Sequence, residues 1–205
     1  MPTHPAVRVI LEEHRAMSAM LRSICLLLGH HRRRGTLPDF GVLRAMLFYV
    51  DEFPERLHHA KESELLFPML RARSCEADAV LDQLDREHQQ GEQAVRTLQR
   101  ELLGFEMMAD TAELQLRRDR FEQAMQRYID FYLQHIELEE REVLPLAERV
   151  LTEADWARLD AAFHDNRDPF AGHASDDDGY RNVFKKILWA LPPPLGIGPP
   201  LSDSV

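Results

Sequence analysis

Apolar residues recur at steps of three and four along four long stretches of the chain, which is the periodicity of amphipathic α-helices. The first stretch includes Val7, Ile10, Met17 and Leu28 and ends where Gly35 and Pro38 interrupt the pattern. The other three stretches run from about Asp39 to Arg73, from near Glu76 to Leu102 and from near Asp110 to Leu146. Pro54 lies inside the second stretch, where we expect it to kink the helix without ending it.

Short connections between the four predicted helices favour antiparallel neighbours. We therefore expect an all-α fold, an up-down-up-down four-helix bundle over residues 5–150. Residues 151–205 are expected to form a helical extension packed on the bundle, with a fifth helix capped by Thr152. Within that extension the sequence predicts a polar loop over Asn166–Asp178, a short sixth helix over Tyr180–Leu191 and an extended proline-rich tail from Pro192.

Composition narrows the classes of function. Hydrophobic residues make up 44% of the 205 residues and charged residues 29%, enough apolar material for one sizeable core. The formal net charge of −10 argues against an extended nucleic-acid interface, which needs a basic face. No apolar run reaches the length of a membrane span, no signal-peptide pattern opens the chain, and two cysteines do not make a disulfide framework. We expect a cytoplasmic protein that binds neither nucleic acid nor membrane.

Candidate chemistry comes from the positions of four histidines. His14, His88 and His135 lie on the apolar stripes of the first, third and fourth predicted helices, and His58 lies on or beside the stripe of the second. One such histidine is usually a hydrogen-bonded core residue. Four of them, one from each helix, converge on one interior volume of a bundle, where an unpaired polar group is costly. The set therefore indicates a buried metal site.

Carboxylates at helical spacing strengthen this interpretation. Glu62, Glu92 and Glu139 each follow a candidate histidine by four residues and so share its helix face. The pattern His-x3-Glu-x5-Pro occurs twice, from His58 to Pro68 and from His135 to Pro145, on the second and fourth helices. A carboxylate directed into the core needs a neutralising partner, and a divalent cation is one.

Imidazole and carboxylate ligands suit iron, manganese or zinc rather than copper(I) or calcium. The candidate ligands exceed the four that one tetrahedral zinc requires, so two metal ions bridged by carboxylates use the set better. Since no cysteine joins the set, an iron–sulfur cluster is disfavoured.

The ordered set of these motifs resembles the hemerythrin-like family, which carries the HHE cation-binding domain. The likeness rests on Glu13-His14, on His58-His59-Ala60-Lys61-Glu62 with Leu66-Phe67-Pro68, on Glu87-His88, and on His135 to Glu140 with Leu144-Pro145. The resemblance implies a non-haem di-iron centre with an oxo or hydroxo bridge, and two bridging carboxylates that map to Glu62 and Glu139. Its metal ligands would be His14, His58, Glu62, His88, His135 and Glu139, with manganese or zinc as substitutes for iron.

Three further residues stay open as ligands. Oxygen-carrying members of the family have a second histidine one turn after the third-helix histidine, and here that position is Glu92. His59 is a candidate for the missing imidazole, although successive residues of an α-helix point about 100° apart. Glu140 is the alternative to Glu139 as the bridge; we prefer Glu139 because its spacing from His135 repeats that of Glu62 from His58.

The sequence thus predicts a di-iron protein that binds, senses or scavenges a small ligand such as oxygen or nitric oxide, or handles iron, rather than a dedicated enzyme. One alternative is a ferritin-like oxidase or peroxidase, a class that uses Glu-x-x-His on two helices; Glu55 to His58 fits that pattern once. The other alternative is a helical bundle that binds no metal and serves as an interaction module. Any signal would pass through a partner protein, a second copy of the chain or the C-terminal extension.

Overall fold

The computed structural model describes residues 4–164, 168–171, 178–192 and 196–198, and every regular element within them is helical. The first helix is α1 (Pro5–Arg34), which ends at Gly35 in the left-handed conformation, φ 63°. Glycine adopts that conformation without the steric cost of a Cβ atom, and the Gly35 and Thr36 amides donate to carbonyls of the last turn.

The second helix is continuous over residues 40–73 but changes its winding along the way. Its parts, in order, are α2 (Phe40–Val50), the π-helical segment π1 (Asp51–His58), α3 (His59–Lys61), the π-helical segment π2 (Glu62–Leu66) and α4 (Phe67–Arg73). Asp39 caps its start by accepting the Val42 amide. Pro54 lies inside π1, which confirms that the proline does not end the helix.

The third and fourth predicted helices are also present. The third is α5 (Asp78–Met107), and the fourth covers residues 114–150 as α6 (Leu114–Leu138), the π-helical segment π3 (Glu139–Val143) and α7 (Leu144–Val150). Contacts join α1 to α2, α2 to α5, α5 to α6 and α6 back to α1. The four long helices therefore enclose one interior.

The expected C-terminal helices pack on this core. The fifth helix, α8 (Glu153–His164), packs against α1, and the Thr152 hydroxyl accepts the Asp155 amide at its start. The sixth, α9 (Asp178–Ala190), packs against α2. The predicted polar loop falls largely on residues 165–167 and 172–177, and most of the tail on 193–195 and 199–205, outside the described residues.

The described part of the tail is not extended. The Ile197 and Gly198 amides donate to the carbonyls of Leu188 and Leu191 at the end of α9. Gly196 lies so close to this helix end that an added Cβ atom would overlap the Leu191 carbonyl. Residues 196–198 therefore cap α9. The chain turns back there because its amides can donate to the last carbonyls of the helix, which have no partner within the helix itself.

Two apolar clusters fill the interior, one on each side of a polar layer. The larger cluster contains Met17, Val95 and Tyr132, and the smaller contains Ile10, Leu84 and Val143. His14 follows Ile10 by one helical turn and precedes Met17 by about one turn, so it lies between them. The layer of buried histidines and carboxylates is therefore screened from water by apolar side chains at both ends.

Candidate metal centre

Two groups of ligand atoms meet in the polar layer, and they share one carboxylate. The first group is His14, His58, Glu62 and Glu139, whose ligand atoms lie within 4.8 Å of one another. The Nε2 atoms of His14 and His58 approach to 3.1 Å. His58 Nε2 is also 2.9 Å from one Glu62 oxygen, and His14 Nε2 is 3.3 Å from one Glu139 oxygen.

The second group is His59, Glu62, His88 and His135, with its ligand atoms within the same 4.8 Å limit. The Nε2 atoms of His88 and His135 are 3.3 Å apart, and His88 Nε2 is 3.5 Å from the other Glu62 oxygen. The His59 ring stacks on the His88 ring with centroids 4.1 Å apart. Glu62 thus offers one oxygen to each group, the arrangement of a bridging carboxylate.

Widened helical turns bring these side chains inward. The amides of His59, Phe67 and Leu144 donate to carbonyls five residues earlier instead of four. Pro54 lies inside the first π-helical segment, and Pro68 and Pro145 lie two residues after the ends of the second and third. Proline lacks an amide hydrogen, and its ring clashes with the carbonyl four residues earlier in an α-helix, so a wider turn relieves the conflict. Each residue in such a turn rotates by less than the α-helical step, so consecutive residues can share a face.

Hydrogen bonds to the other ring nitrogen orient all five imidazoles. Each Nδ1 atom is 2.7–3.1 Å from an oxygen of a neighbouring side chain. The pairs are His58 with Glu13, His135 with Glu87, His14 with Glu140, His59 with Glu55, and His88 with the Ser63 hydroxyl. Donation from Nδ1–H fixes the tautomer in which Nε2 carries the lone pair that binds a metal. The Nε2 atom of His59 is also 3.2 Å from the Tyr132 hydroxyl.

Two acids of the first group, Glu62 and Glu139, are costly to bury in this position. Glu62 and Glu139 are 0% exposed, and within the described residues none of their four carboxylate oxygens has a hydrogen-bond partner. Burial, together with the charge of Glu139 beside it, raises the pKa of Glu62 to about 8. Buried carboxylates without partners are rare because their desolvation is not compensated. A cation between the two acids would supply that compensation, so the residues present fit a metal.

Burial also affects the imidazoles of the second group. It lowers the pKa of His88 to about 3 and that of His59 well below its ordinary value, with the neighbouring histidines adding to the effect. These rings are therefore neutral near pH 7, which is the form that binds metals. In the first group, burial lowers the pKa of His58, but the carboxylates of Glu62 and Glu13 outweigh it and raise the pKa well above its ordinary value.

The three open ligand candidates take different places. His59 belongs to the second group. Glu92 is half-exposed and pairs with Arg96 at 3.0 Å, away from both groups. Glu140 is 39% exposed and binds His14 Nδ1, whereas Glu139 is fully buried within the first group. The geometry thus brings together the preferred six residues and His59.

The orienting residues were not predicted from the sequence. Two of them directly precede candidate ligands, in Glu13-His14 and Glu87-His88, yet each binds a histidine of a neighbouring helix. An acid next to a candidate ligand was therefore a usable signal. Ser63 carries no such signal, because its contact with His88 depends on how α5 packs on the second helix. Glu55 precedes His59 by four residues on the same helix, so helical spacing was a usable signal for it.

Two cavities adjoin the groups. A closed cavity of about 10 Å³ lies beside His14 and His58, lined also by Phe53, Pro54 and Tyr132. This volume is roughly that of one water-sized molecule. On the other side, an open polar cleft of about 540 Å³ between the second helix and α5 reaches His59 and His88.

Comparison with known proteins agrees with this geometry. The profile of the hemerythrin HHE cation binding domain matches residues 6–147, more than half of the chain. Neither the curated proteins nor the solved structures contain a significant match. Among the described residues, no helix is both long and apolar enough to cross a membrane. The matched segment contains the buried histidines and acids that the four helices bring together. The chain therefore belongs to the hemerythrin HHE cation-binding domain family.

Proposed function

We propose that this chain is a di-iron protein that binds, senses or scavenges a small ligand such as oxygen or nitric oxide. Its bundle would have the up-down-up-down arrangement expected of residues 5–150. The observation that carries the proposal is the sharing of Glu62 by two ligand groups, with four buried carboxylate oxygens that lack hydrogen-bond partners among the described residues. Two cations account for both features, since one ion cannot occupy both groups.

His14 and His58 would hold one ion and His59, His88 and His135 the other, with Glu62 and Glu139 between them. Bound iron would supply the electrons and the open position that a diatomic ligand needs. The protein contributes the rest: Nδ1 hydrogen bonds fix the rings, and the apolar clusters exclude water. The closed cavity beside His14 and His58 has room for about one water-sized molecule, so a guest bound on that side would be small.

The ligand groups do not match the ferritin-like scheme. Each group offers four residues, two imidazoles and two carboxylates in the first and three imidazoles and one carboxylate in the second. Glu55, which fits the ferritin-like Glu-x-x-His pattern, binds His59 Nδ1 and the Tyr128 hydroxyl instead of joining either group. The oxidase alternative therefore gains no support from the geometry.

Metal analysis and optical spectroscopy of the full chain test the proposal. Protein loaded anaerobically with ferrous iron should hold about two ions per chain, one for each ligand group. After exposure to air it should show near-ultraviolet charge-transfer bands that change on addition of azide. Glu62→Gln should lose both properties, whereas Glu137→Gln, an exposed acid on the same helix as His135, should keep them. One ion per chain, or no spectral response from fully loaded protein, would contradict the proposal.

Catalytic assays separate the enzyme alternative. The proposed binding protein should show no sustained oxidation of excess ferrous iron and no sustained consumption of peroxide beyond one turnover of the centre. Sustained turnover of either substrate that His14→Ala abolishes would instead establish a ferritin-like oxidase or peroxidase.

A further inference from the structure

The wall of the closed cavity beside His14 and His58 includes a residue from outside the matched family segment. Asp168 lines this cavity and is only 3% exposed, although it lies 21 positions beyond residue 147, where the match ends. It therefore belongs to the C-terminal extension of this particular chain. The extension does more than cover the bundle, because it contributes a buried acid next to the candidate metal centre.

Asp168 is held firmly in this wall. The Tyr49 hydroxyl donates to one of its carboxylate oxygens at 2.7 Å, and the Phe170 amide donates to the other at 2.8 Å. The Phe170 ring packs edge-on against Tyr49 and against Phe184 of α9, with centroids 5.0 and 5.3 Å apart. Tyr49 of the second helix thus holds the carboxyl group directly, and Phe184 of α9 supports it through Phe170.

Two acidic side chains line this cavity beside the imidazoles of His14 and His58. Its acidic lining residues are Glu13 and Asp168, and no lysine or arginine lines it within the described part of the chain. Glu13 is paired with His58 at 2.7 Å, whereas Asp168 accepts hydrogen bonds from two neutral donors, the Tyr49 hydroxyl and the Phe170 amide. Burial raises the pKa of Asp168 to about 6, so the group is mostly ionised at pH 7.5. An anion in this cavity would meet a like charge at short range in a medium that screens poorly.

On the basis of the proposed function, we propose that Asp168 makes this cavity favour neutral small ligands, such as dioxygen or nitric oxide, and weakens the binding of small anions. Phe53 and Pro54 supply the apolar surface that a neutral diatomic molecule prefers. The acid acts by repulsion, which is a common device for rejecting the wrong ligand.

Azide, a small linear anion, and nitric oxide, a neutral diatomic, are suitable probes. Azide binding is followed from the near-ultraviolet bands of the oxidised, iron-loaded full chain, and nitric oxide binding from the spectrum of the reduced protein. Asp168→Asn, which removes the charge and keeps the size, should raise azide affinity by about tenfold and change nitric oxide affinity by less than about twofold. Asp168→Ser is a second neutral variant, and melting temperatures of the metal-free proteins show that each variant folds.

Asp160→Asn is the matched control. Asp160 lies in the same extension, on α8, and accepts the Ala6 amide at 2.8 Å, but it does not line the cavity. Its azide affinity should equal that of the wild type. Unchanged azide affinity in both neutral Asp168 variants, an equal rise in Asp160→Asn, or a parallel rise for nitric oxide would overturn the inference. If the loaded wild type responds to neither probe, the proposed function itself fails, and the two failures are thereby distinguished.

Discussion

His58 and His59 are consecutive in the chain, yet their imidazoles belong to two different ligand groups. His58 Nε2 lies 3.1 Å from His14 Nε2, whereas the His59 ring stacks 4.1 Å from the His88 ring. The wide turn of π1 ends at this pair, and the His59 amide donates to the Pro54 carbonyl five residues earlier. This geometry lets one helix supply an imidazole to each side of Glu62.

Replacing His59 should therefore remove one metal position and leave the other. We expect His59→Ala to reduce iron from about two ions per chain to about one, because His14, His58, Glu62 and Glu139 remain in place. The measurement is metal analysis after anaerobic loading and removal of excess iron. His164→Ala, at the exposed end of α8, is the control and should keep both ions. Full occupancy in His59→Ala would show that His59 is not a ligand.

The sequence predicted most of this centre because helical periodicity is a strong signal. His14, His88 and His135 lie on apolar stripes, and the repeated His-x3-Glu-x5-Pro pattern identified Glu62 and Glu139 as equivalent acids. Each of these residues is buried in the structure. Such inferences need only the regular α-helical step, which holds well over α1, α5 and α6.

The place of His59 could not be derived in the same way, because it depends on a departure from that step. An ideal α-helix separates the directions of His58 and His59 by about 100°. The prolines at 54, 68 and 145 were visible, but only the folded chain shows that their conflicts are relieved by π-helical turns. The contribution of Asp168 was likewise hidden, since no local pattern indicates where a C-terminal extension packs.

Glu92 is expected to be dispensable for metal binding. Its side chain is 52% exposed and its partner Arg96 is 71% exposed, so water already solvates the pair. Exposed pairs of this kind contribute between zero and about 1 kcal/mol to stability. Glu92→Gln should keep about two ions per chain and shift the free energy of unfolding by less than about 0.5 kcal/mol. Metal analysis and chemical denaturation are the measurements, and loss of one ion would instead make Glu92 a ligand.

The metal-free protein should become less stable as pH rises above 6.5. The pKa of Glu62 is raised to about 8 from an ordinary 4.5, so the folded state holds a proton that the unfolded state has lost in this range. Stability from this group is present below pH 4.5 and is lost as pH passes through 8. The part of the slope due to Glu62 should reach at most about 1.4 kcal/mol per pH unit, and the raised pKa values of His58 and of Glu55, the latter raised to about 7, add slope of the same sign.

Denaturation curves of metal-free protein between pH 6.5 and 8.5 measure this slope. His59 and His88, whose pKa values are lowered, are neutral in both states over most of this range and add little. Glu62→Gln should flatten the curve, and so should bound iron, because a cation replaces the proton between the acids. A wild-type slope equal to that of Glu62→Gln would contradict the assignment.

Gly91 is expected to be needed for the second ligand group, although it touches no metal ligand directly. A Cβ atom at this position would lie 2.6 and 2.7 Å from the two Glu55 carboxylate oxygens, closer than real contacts allow. Glu55 is buried, accepts the Tyr128 hydroxyl at 2.7 Å and lies 3.1 Å from His59 Nδ1, so it cannot move without releasing His59. Gly91→Ala should therefore weaken iron binding at the second position while the first stays filled.

Gly104→Ala is the control on the same helix, because a Cβ atom there would meet its nearest side-chain atom, in Arg117, at 3.7 Å. This variant should leave iron binding intact and stabilise the helix by roughly 0.5–1 kcal/mol. Iron titration followed by metal analysis compares the two variants, and equal occupancy in both would show that Glu55 does not position His59.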